Sequence, residues 1–407
     1  MKSILFFASL LFLFNSLQAQ TCDYVKEKYG FRVEKGIFVG IEPDFQGKPD
    51  SLFLDLYYPN GSTEAKRPLV VWIFGGGFIA GKREDFASIC TAYAKRGFVA
   101  ATIDYRIGFQ GIQILPVDSA EIIRAGYRGA QDGKSALRFL KARHDQDSTD
   151  LERVWIGGAS AGSIVAMATA FFNKESEKPI EAGNIGPANG NARLDLGPIE
   201  GNSNLNGYDT KVQGIFNIFG AVLNLNVVEP GDNIAVFSYH QTEDPVVACG
   251  RKRPYWPYAV VTDLYPIAYG TCVLDPRLSE IGLSPAYHKA WIYNGNQHAI
   301  HNETEVINYL LQNANPILCN TVGVVDHSAS ELDNVLVYPN PVVDQLILEN
   351  IDEETHYYID NINGNKILQG KLNQNSHLST SEFNSGIYFL HLSKGSHTRT
   401  IKFIKTI

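Results

Sequence analysis

The sequence predicts an α/β fold built on a central, mostly parallel sheet, followed by a separate all-β domain. Three observations carry that prediction. From residue 25 to 315, continuous apolar runs alternate with amphipathic ones. One serine, Ser160, stands in a glycine-rich turn between two such runs. After Asn320 the chain changes to short alternating strands with turn signals and no helical pattern between them.

The elements follow in order. Residues 1–20 carry a basic Lys2, an apolar run from Ile4 to Phe14 and a small residue at Ala19. That is the pattern of a cleaved secretory signal, and the run is too short to span a bilayer. In "SLFLDLYY" (51–58), Leu52, Leu54 and Leu56 alternate as in a half-buried strand. The stretches "LVVWIF" (69–74), "FVAATIDY" (98–105), "RVWIGG" (153–158), "VQGIFNIFG" (212–220), "IAVFSYH" (234–240) and "KAWIYNG" (289–295) are continuous apolar runs bounded by Gly, Asp or Asn. Such runs suit strands buried on both faces of a parallel sheet. Between them, "GKSALRFLKAR" (133–143) reads as a helix with an apolar stripe of Ala136, Leu137 and Leu140 beside Lys134, Arg138 and Lys141. Two segments break the rhythm. Residues 182–208, with six Gly and six Asn, read as a long irregular loop. Residues 248–268 are rich in Tyr, Trp and Pro, and long loops of this kind inside compact domains are commonly functional.

The expected organisation is a signal at 1–20, an α/β domain at 21–319, a linker at 320–331 and an all-β domain at 332–407, with the character of an Ig-like sandwich. The 407 residues suffice for a large core plus this appendage. A formal net charge of −8 and the lack of a Lys/Arg cluster argue against nucleic acid as a partner. Five cysteines follow the signal, Cys22, Cys90, Cys249, Cys272 and Cys319, an odd number without C-x-x-C spacing. Export makes disulfides available, and the spacing argues against a zinc site.

The turn around Ser160 points to chemistry. "RVWIGGASAGSIVAM" (153–167) runs from an apolar strand into a helical pattern, and Gly158-x-Ser160-x-Gly162 leaves only small residues around the hydroxyl. A nucleophile on so sharp a strand-to-helix turn needs small neighbours. A serine hydroxyl also needs a base, a group to orient that base, and donors for an oxyanion. Asp244, in the turn after "IAVFSYH", is the favoured acid; Glu243 and Asp263 are the alternatives. His298, in the loop after "KAWIYNG", is the favoured base. His301 stands next to the helix that Asn302 would cap, and His288 lies at the wrong end of its strand. Gly75, Gly76 and Gly77, directly after the strand 69–74, offer main-chain donors without side chains in the way, and the Ala161 amide adds another. No Lys-Ser/Thr follows those glycines, so a phosphate loop is rejected. No metal or cofactor is implied.

At these residues the chain resembles the carboxylesterase and hormone-sensitive-lipase-like branch of the α/β-hydrolases, over roughly residues 30–315. The resemblance rests on "FGGGF" (74–78), "DYRIG" (104–108), "RGAQDGKSALRFLK" (128–141), "GGASAGS" (157–163), "DPVV" (244–247) and "YGTCVLDPRLSEIGL" (269–283) leading to "NGNQHAI". It implies that Gly76 and Gly77 donate to the oxyanion; Phe74 stands where the family carries a loop-ordering histidine. It also implies that residues 248–268 are inserted between "DPVV" and "YG". If so, the ends of the insertion lie close together, and a Cys249–Cys272 disulfide is expected there, with Cys22–Cys319 as a second pairing and Cys90 left buried and free. The tail from 337 to 407 is similar to the type IX secretion C-terminal sorting domain of Bacteroidota, which implies delivery through the periplasm to the cell surface or exterior by that machinery. Membrane contact is then confined to transit or surface attachment.

The reading is an exported serine carboxylesterase acting through an acyl-enzyme on short-chain esters or on polysaccharide-linked acetyl or feruloyl esters. A serine peptidase or polyester hydrolase with the same three residues is the alternative, and a catalytically silent surface-binding protein is the alternative of another class. Tyr255, Trp256 and Tyr258 in the insertion are candidates to stack on sugars or aromatic acids, or to serve in packing.

Overall fold

The computed structural model describes residues 22–319, 332, 335–351, 355–362, 364–372, 376–394 and 397–406. The segment read as a secretory signal and the segment read as a linker lie outside the described residues. The chain divides into two compact units, residues 1–320 and 321–407.

The first unit is organised by eight strands: β1 (Gly30–Pro43), β2 (Pro49–Asn60), β3 (Arg67–Ile73), β4 (Val99–Ile103), β5 (Thr149–Ala159), β6 (Gly214–Ile218), β7 (Ala235–Gln241) and β8 (His288–Tyr293). They form one sheet in the order 1-2-4-3-5-6-7-8. The β1–β2 and β2–β4 pairs are antiparallel and all later pairs parallel. Each apolar run read from the sequence became one of these strands. Every residue of β4 and β6 is buried, as strands covered on both faces require. Aromatic side chains knit the middle strands: Trp155 stacks on Phe216 at 4.8 Å, and Trp72 stacks on Phe216 at 5.8 Å. Gly157 lies between Trp72 and Phe216 in register, and a Cβ there would meet the Trp72 ring at 2.7 Å.

Sequence periodicity did not show β1. It is an edge strand, mostly exposed, with charged residues among its apolar ones. The helix expected at 133–143 is the C-terminal part of a longer one, α2 (Ser119–Ala142), capped by the Asp118 side chain accepting from the Ala120 amide at 3.0 Å. The part before it carries glycines at 126 and 129, and Gly133 stands at the junction; they lower helix propensity and hide the pattern. Lys134, Arg138 and Lys141 are not on a solvated face. All three are buried, because residues 182–208 lie across α2. Lys134 and Arg138 pair with Glu200, and Lys141 with Asp209. The long loop itself is pinned, and it holds a short hairpin of Ile185–Ala188 with Asn191–Arg193.

The remaining helices used below are α1 (Ala87–Ala94), α3 (Ala161–Phe171), α4 (Thr271–Glu280) and α5 (Glu303–Cys319). Residues 248–268 also fold onto a framework: Arg251–Lys252 pairs with Ala268–Gly270, which pairs with Ala221–Val222. Disulfides join Cys249 to Cys272, with Cα atoms 5.1 Å apart, and Cys22 to Cys319, at 5.6 Å. Cys90, in α1, is free and fully buried.

In the second unit the described residues form two antiparallel sheets. One holds Leu336–Tyr338, Gln345–Glu349 and Ser376–Ser379; the other holds Lys366–Lys371, His356–Asn361, Gly386–Lys394 and His397–Lys405. Leu346, Leu348, Ile359, Leu390, Leu392 and Phe403 fill its core.

Candidate active site

The sheet order places four loops at the C-terminal ends of neighbouring parallel strands, where such sheets hold their sites. Gly75 follows β3, Ser160 follows β5, Asp244 follows β7 and His298 follows β8.

Ser160 sits between β5 and α3 at φ 55°, ψ −125°, a conformation that non-glycine residues rarely adopt. Its amide donates to Ile218 O at 3.0 Å, and its carbonyl accepts from Ser163 and Ile164 to open α3. The flanking glycines are required by space. A Cβ on Gly158 would overlap the Gly162 main chain, and a Cβ on Gly162 would overlap the carbonyl oxygens of Ile73 and Phe74. Gly162→Ala is therefore expected to lose about 3 kcal/mol or more of stability, as overpacking against immovable backbone does. A urea unfolding midpoint within error of the parent would contradict this account of the turn.

His298 stands opposite. Its Nε2 lies 2.7 Å from Ser160 Oγ, and its Nδ1 lies 2.7 Å from Asp244 Oδ2. A carboxylate can only accept, so Nδ1 carries the proton and Nε2 presents its lone pair to the serine hydroxyl. Asp244 is fully buried, and its other oxygen accepts from the Val246 and Val247 amides at 2.8 and 3.0 Å. Phe219 packs edge-on against the His298 ring, with centroids 4.6 Å apart. The alternatives lie elsewhere. Glu243 and Asp263 are exposed. His301 stacks on Tyr293 and its Nε2 meets Glu305 at 3.2 Å. His288 meets Asp275 at 2.9 Å at the far end of β8.

The glycine loop abuts the serine. A Cβ on Gly75 would come within 3.3 Å of Ser160 Cβ. Gly76 has φ 115° and lies against Ala80 O, so only glycine fits there; Gly77 follows at φ 63° and Phe78 at φ 66°. Ala161 is the first residue of α3, so its amide has no acceptor within the helix. Phe74, in place of the family's histidine, is buried against Tyr105, with ring centroids 4.6 Å apart. This stretch of loop is ordered by packing rather than by an imidazole.

Sequence reasoning missed a buried polar chain behind the site. Ser163 Oγ donates to Asn217 Oδ1 at 2.6 Å, and Asn217 Nδ2 donates to Ser238 Oγ and Thr271 Oγ1, each at 3.0 Å. Thr271 Oγ1 lies 2.9 Å from His240 Nδ1, and His240 Nε2 lies 2.8 Å from Val247 O. A carbonyl can only accept, so His240 carries its proton on Nε2 and takes the Thr271 hydroxyl on Nδ1. Burial holds His240 below the ordinary imidazole range, against the opposite pull of the Val247 carbonyl and Asp244. The chain thus ties the start of α3 to the turn that carries Asp244. Its members are scattered between residues 163 and 271, so no local spacing signals it. His240→Phe takes the acceptor from the Thr271 hydroxyl proton, whose oxygen still accepts from Asn217 Nδ2, and the imidazole donor from the Val247 carbonyl, at about 1–3 kcal/mol for each buried polar group so deprived. Chemical denaturation is expected to register that loss, and an unchanged midpoint would contradict the role given to the chain.

The inserted residues brace the same turn from outside. Trp256 Nε1 donates to Asp244 O at 2.7 Å, and the Tyr255 amide donates to Val246 O at 2.8 Å. Lys252 Nζ sits over the Trp256 ring at 3.4 Å. Trp256 is thereby committed to packing, whereas the Tyr255 hydroxyl lies 3.6 Å from the Cβ position of Gly77 and Tyr258 is exposed.

Two family models match separate stretches of this chain. The BD-FAE family model matches residues 54–243, a span that contains the glycine loop and Ser160 and stops one residue before Asp244. The secretion system C-terminal sorting domain matches residues 336–406. Gut esterase 1 of Caenorhabditis elegans is 30% identical over 131 residues, 31% of this chain and 22% of that protein. Carboxylesterase 3 of Pongo abelii is 31% identical over 144 residues, 33% of this chain and 24% of that protein. Fumonisin B1 esterase of Sphingopyxis macrogoltabida is 29% identical over 116 residues, 28% of this chain and 22% of that protein. The chain thus spans less than a quarter of the length of these curated relatives. A propionate-bound esterase structure from Thermogutta terrifontis aligns with 70% of this chain and 94% of its own, at 17% identity and a TM-score of 0.43. Among the described residues no helix is long and apolar enough to cross a membrane. The sorting domain addresses the chain to the cell surface or exterior by the type IX route. Residues 54–243 thus match a hormone-sensitive-lipase-like α/β-hydrolase family, and residues 336–406 match a type IX secretion sorting domain.

Proposed function

We propose that this protein is an exported serine carboxylesterase in which Ser160 is the nucleophile, His298 the general base and Asp244 the residue that orients it. The observation that carries the reading is the unbroken hydrogen-bonded line from Ser160 through His298 to Asp244, with both links at 2.7 Å. In the forward step His298 Nε2 takes the Ser160 proton as Oγ attacks the ester carbonyl. Asp244 stabilises the imidazolium that forms. The amides of Gly76, Gly77 and Ala161 receive the oxyanion, a contribution worth roughly a hundredfold or more per donor. His298 then protonates the leaving alcohol, and water activated by the same base releases the acid from the acyl-enzyme.

The esterases it resembles support an ester as the substrate. Export supports an extracellular one, and acetyl or feruloyl groups on a polysaccharide fit that location. Hydrolysis of p-nitrophenyl acetate by the purified protein tests the reading. Saturable turnover well above the buffer rate is expected, and its absence would overturn it. A panel of acetyl, butyryl, feruloyl and acetyl-xylan esters then ranks the acyl groups.

A further inference from the structure

Helix α2 turns a row of buried polar side chains toward the segment that lies across it, and nearly all of their donors end on that segment. Arg124 Nη1 donates to the carbonyls of Glu181 and Gly183, and Gln131 Nε2 to those of Leu196 and Pro198. Arg138 donates to the carbonyls of Glu200, Ser203 and Asn204. Arg128, in the middle of the row, is the exception. It is 2% exposed, its Nη2 donates to Gly108 O at 2.5 Å, and its Nε has no partner. Among the described residues no carboxylate lies within 4 Å of it: Asp132, its neighbour on the helix, is taken by Arg106 at 2.9 Å. Burial, and after it the like charge of Arg106, push the Arg128 guanidinium down to about 10 against the more distant attraction of Glu121 and Asp132, so it remains charged at neutral pH.

A cavity of about 960 Å³ opens beside Arg128, and none of its lining residues belongs to the site around Ser160. Its lining residues include Phe45, Phe109, Gln110 and Asn191, and Asn191 Nδ2 donates to Gln110 Oε1 at 3.4 Å. The acidic groups at its rim are already engaged: Asp44 accepts from the amides of Gln46 and Lys48, Asp195 pairs with Lys178, and Glu42 accepts from Ser203. A buried guanidinium without an ionic partner is costly to keep. Its planar fork matches a carboxylate, and the flanking rings and amides match the apolar faces and hydroxyls of a sugar.

We infer that this cavity is a second binding site, which takes the carboxylate of a uronic acid on Arg128. The site does not depend on the esterase reading. It would hold the chain against an acidic polysaccharide.

The test is calorimetric titration of the full-length Ser160→Ala protein with sodium galacturonate, galactose and sodium acetate. Saturable galacturonate binding is expected, at least tenfold tighter than either of the other two. Arg128→Met should abolish it. Ala192→Trp, an exposed substitution on the cavity wall that leaves α2 untouched, should weaken it at least tenfold, and it decides the matter if the Met variant does not fold. Ala192→Trp made in the active parent should leave p-nitrophenyl acetate turnover unchanged, which separates this site from the one at Ser160. Absence of galacturonate binding, equal binding of galactose or acetate, or binding indifferent to Ala192→Trp would each overturn the inference.

Discussion

Replacing Ser160 by alanine is expected to lower ester turnover by roughly 10⁶-fold while leaving the fold intact, as removal of a nucleophile from a concerted triad does. Alanine has the same Cβ, so the strained turn at φ 55° meets no new atom. The one hydrogen bond lost is the 2.7 Å contact to His298, whose Nδ1 keeps its bond to Asp244. Stability should therefore barely change. Turnover of p-nitrophenyl acetate, measured beside a thermal unfolding curve, separates the two quantities. Activity within tenfold of the parent would sink the assignment of the nucleophile.

The second large effect is at the acid. Asp244→Asn is expected to cost about 10⁴ in kcat, because an amide in place of the carboxylate favours the wrong imidazole tautomer. The Asn Oδ1 can still accept from the Val246 and Val247 amides, so the turn should survive. Glu243→Gln is the control. Glu243 is exposed, and its recorded main-chain bond, from its amide to Gly295 O at 2.9 Å, does not involve its side chain. Its loss should be small, and a larger loss from Glu243→Gln than from Asp244→Asn would reverse the assignment.

The fold was legible where burial is two-sided. The runs at 69–74, 98–105, 153–158, 212–220 and 234–240 lie inside the sheet and are buried along nearly their whole length, whereas 289–295 is the partly exposed end strand β8; all six are strands of one sheet. Edge strand β1 escaped because it faces solvent and answers to no such demand. The full length of α2 escaped for the opposite reason. Its polar side chains are buried under residues 181–209, so a face that reads as solvated is an internal anchor.

The candidate site was legible in proportion to how local its constraints are. Gly158, Ser160 and Gly162 are held by one turn whose sterics leave a mark within five residues. Asp244 and His298 carry no such mark, and only the chain order of strand ends pointed to them. The Ser163–Asn217–Thr271–His240 chain lay beyond reach, since each member looks like an ordinary polar residue until the sheet brings them together. Trp256 shows the same limit: its indole braces Asp244 O, a role its sequence neighbours do not disclose.

The most direct measurement is peptide mass spectrometry of the enzyme quenched with acid during turnover of p-nitrophenyl butyrate. The account predicts a butyryl group on the peptide that contains Ser160, and its absence from the Ser160→Ala protein. A butyryl group on any other residue, or turnover with no acylated peptide, would contradict it.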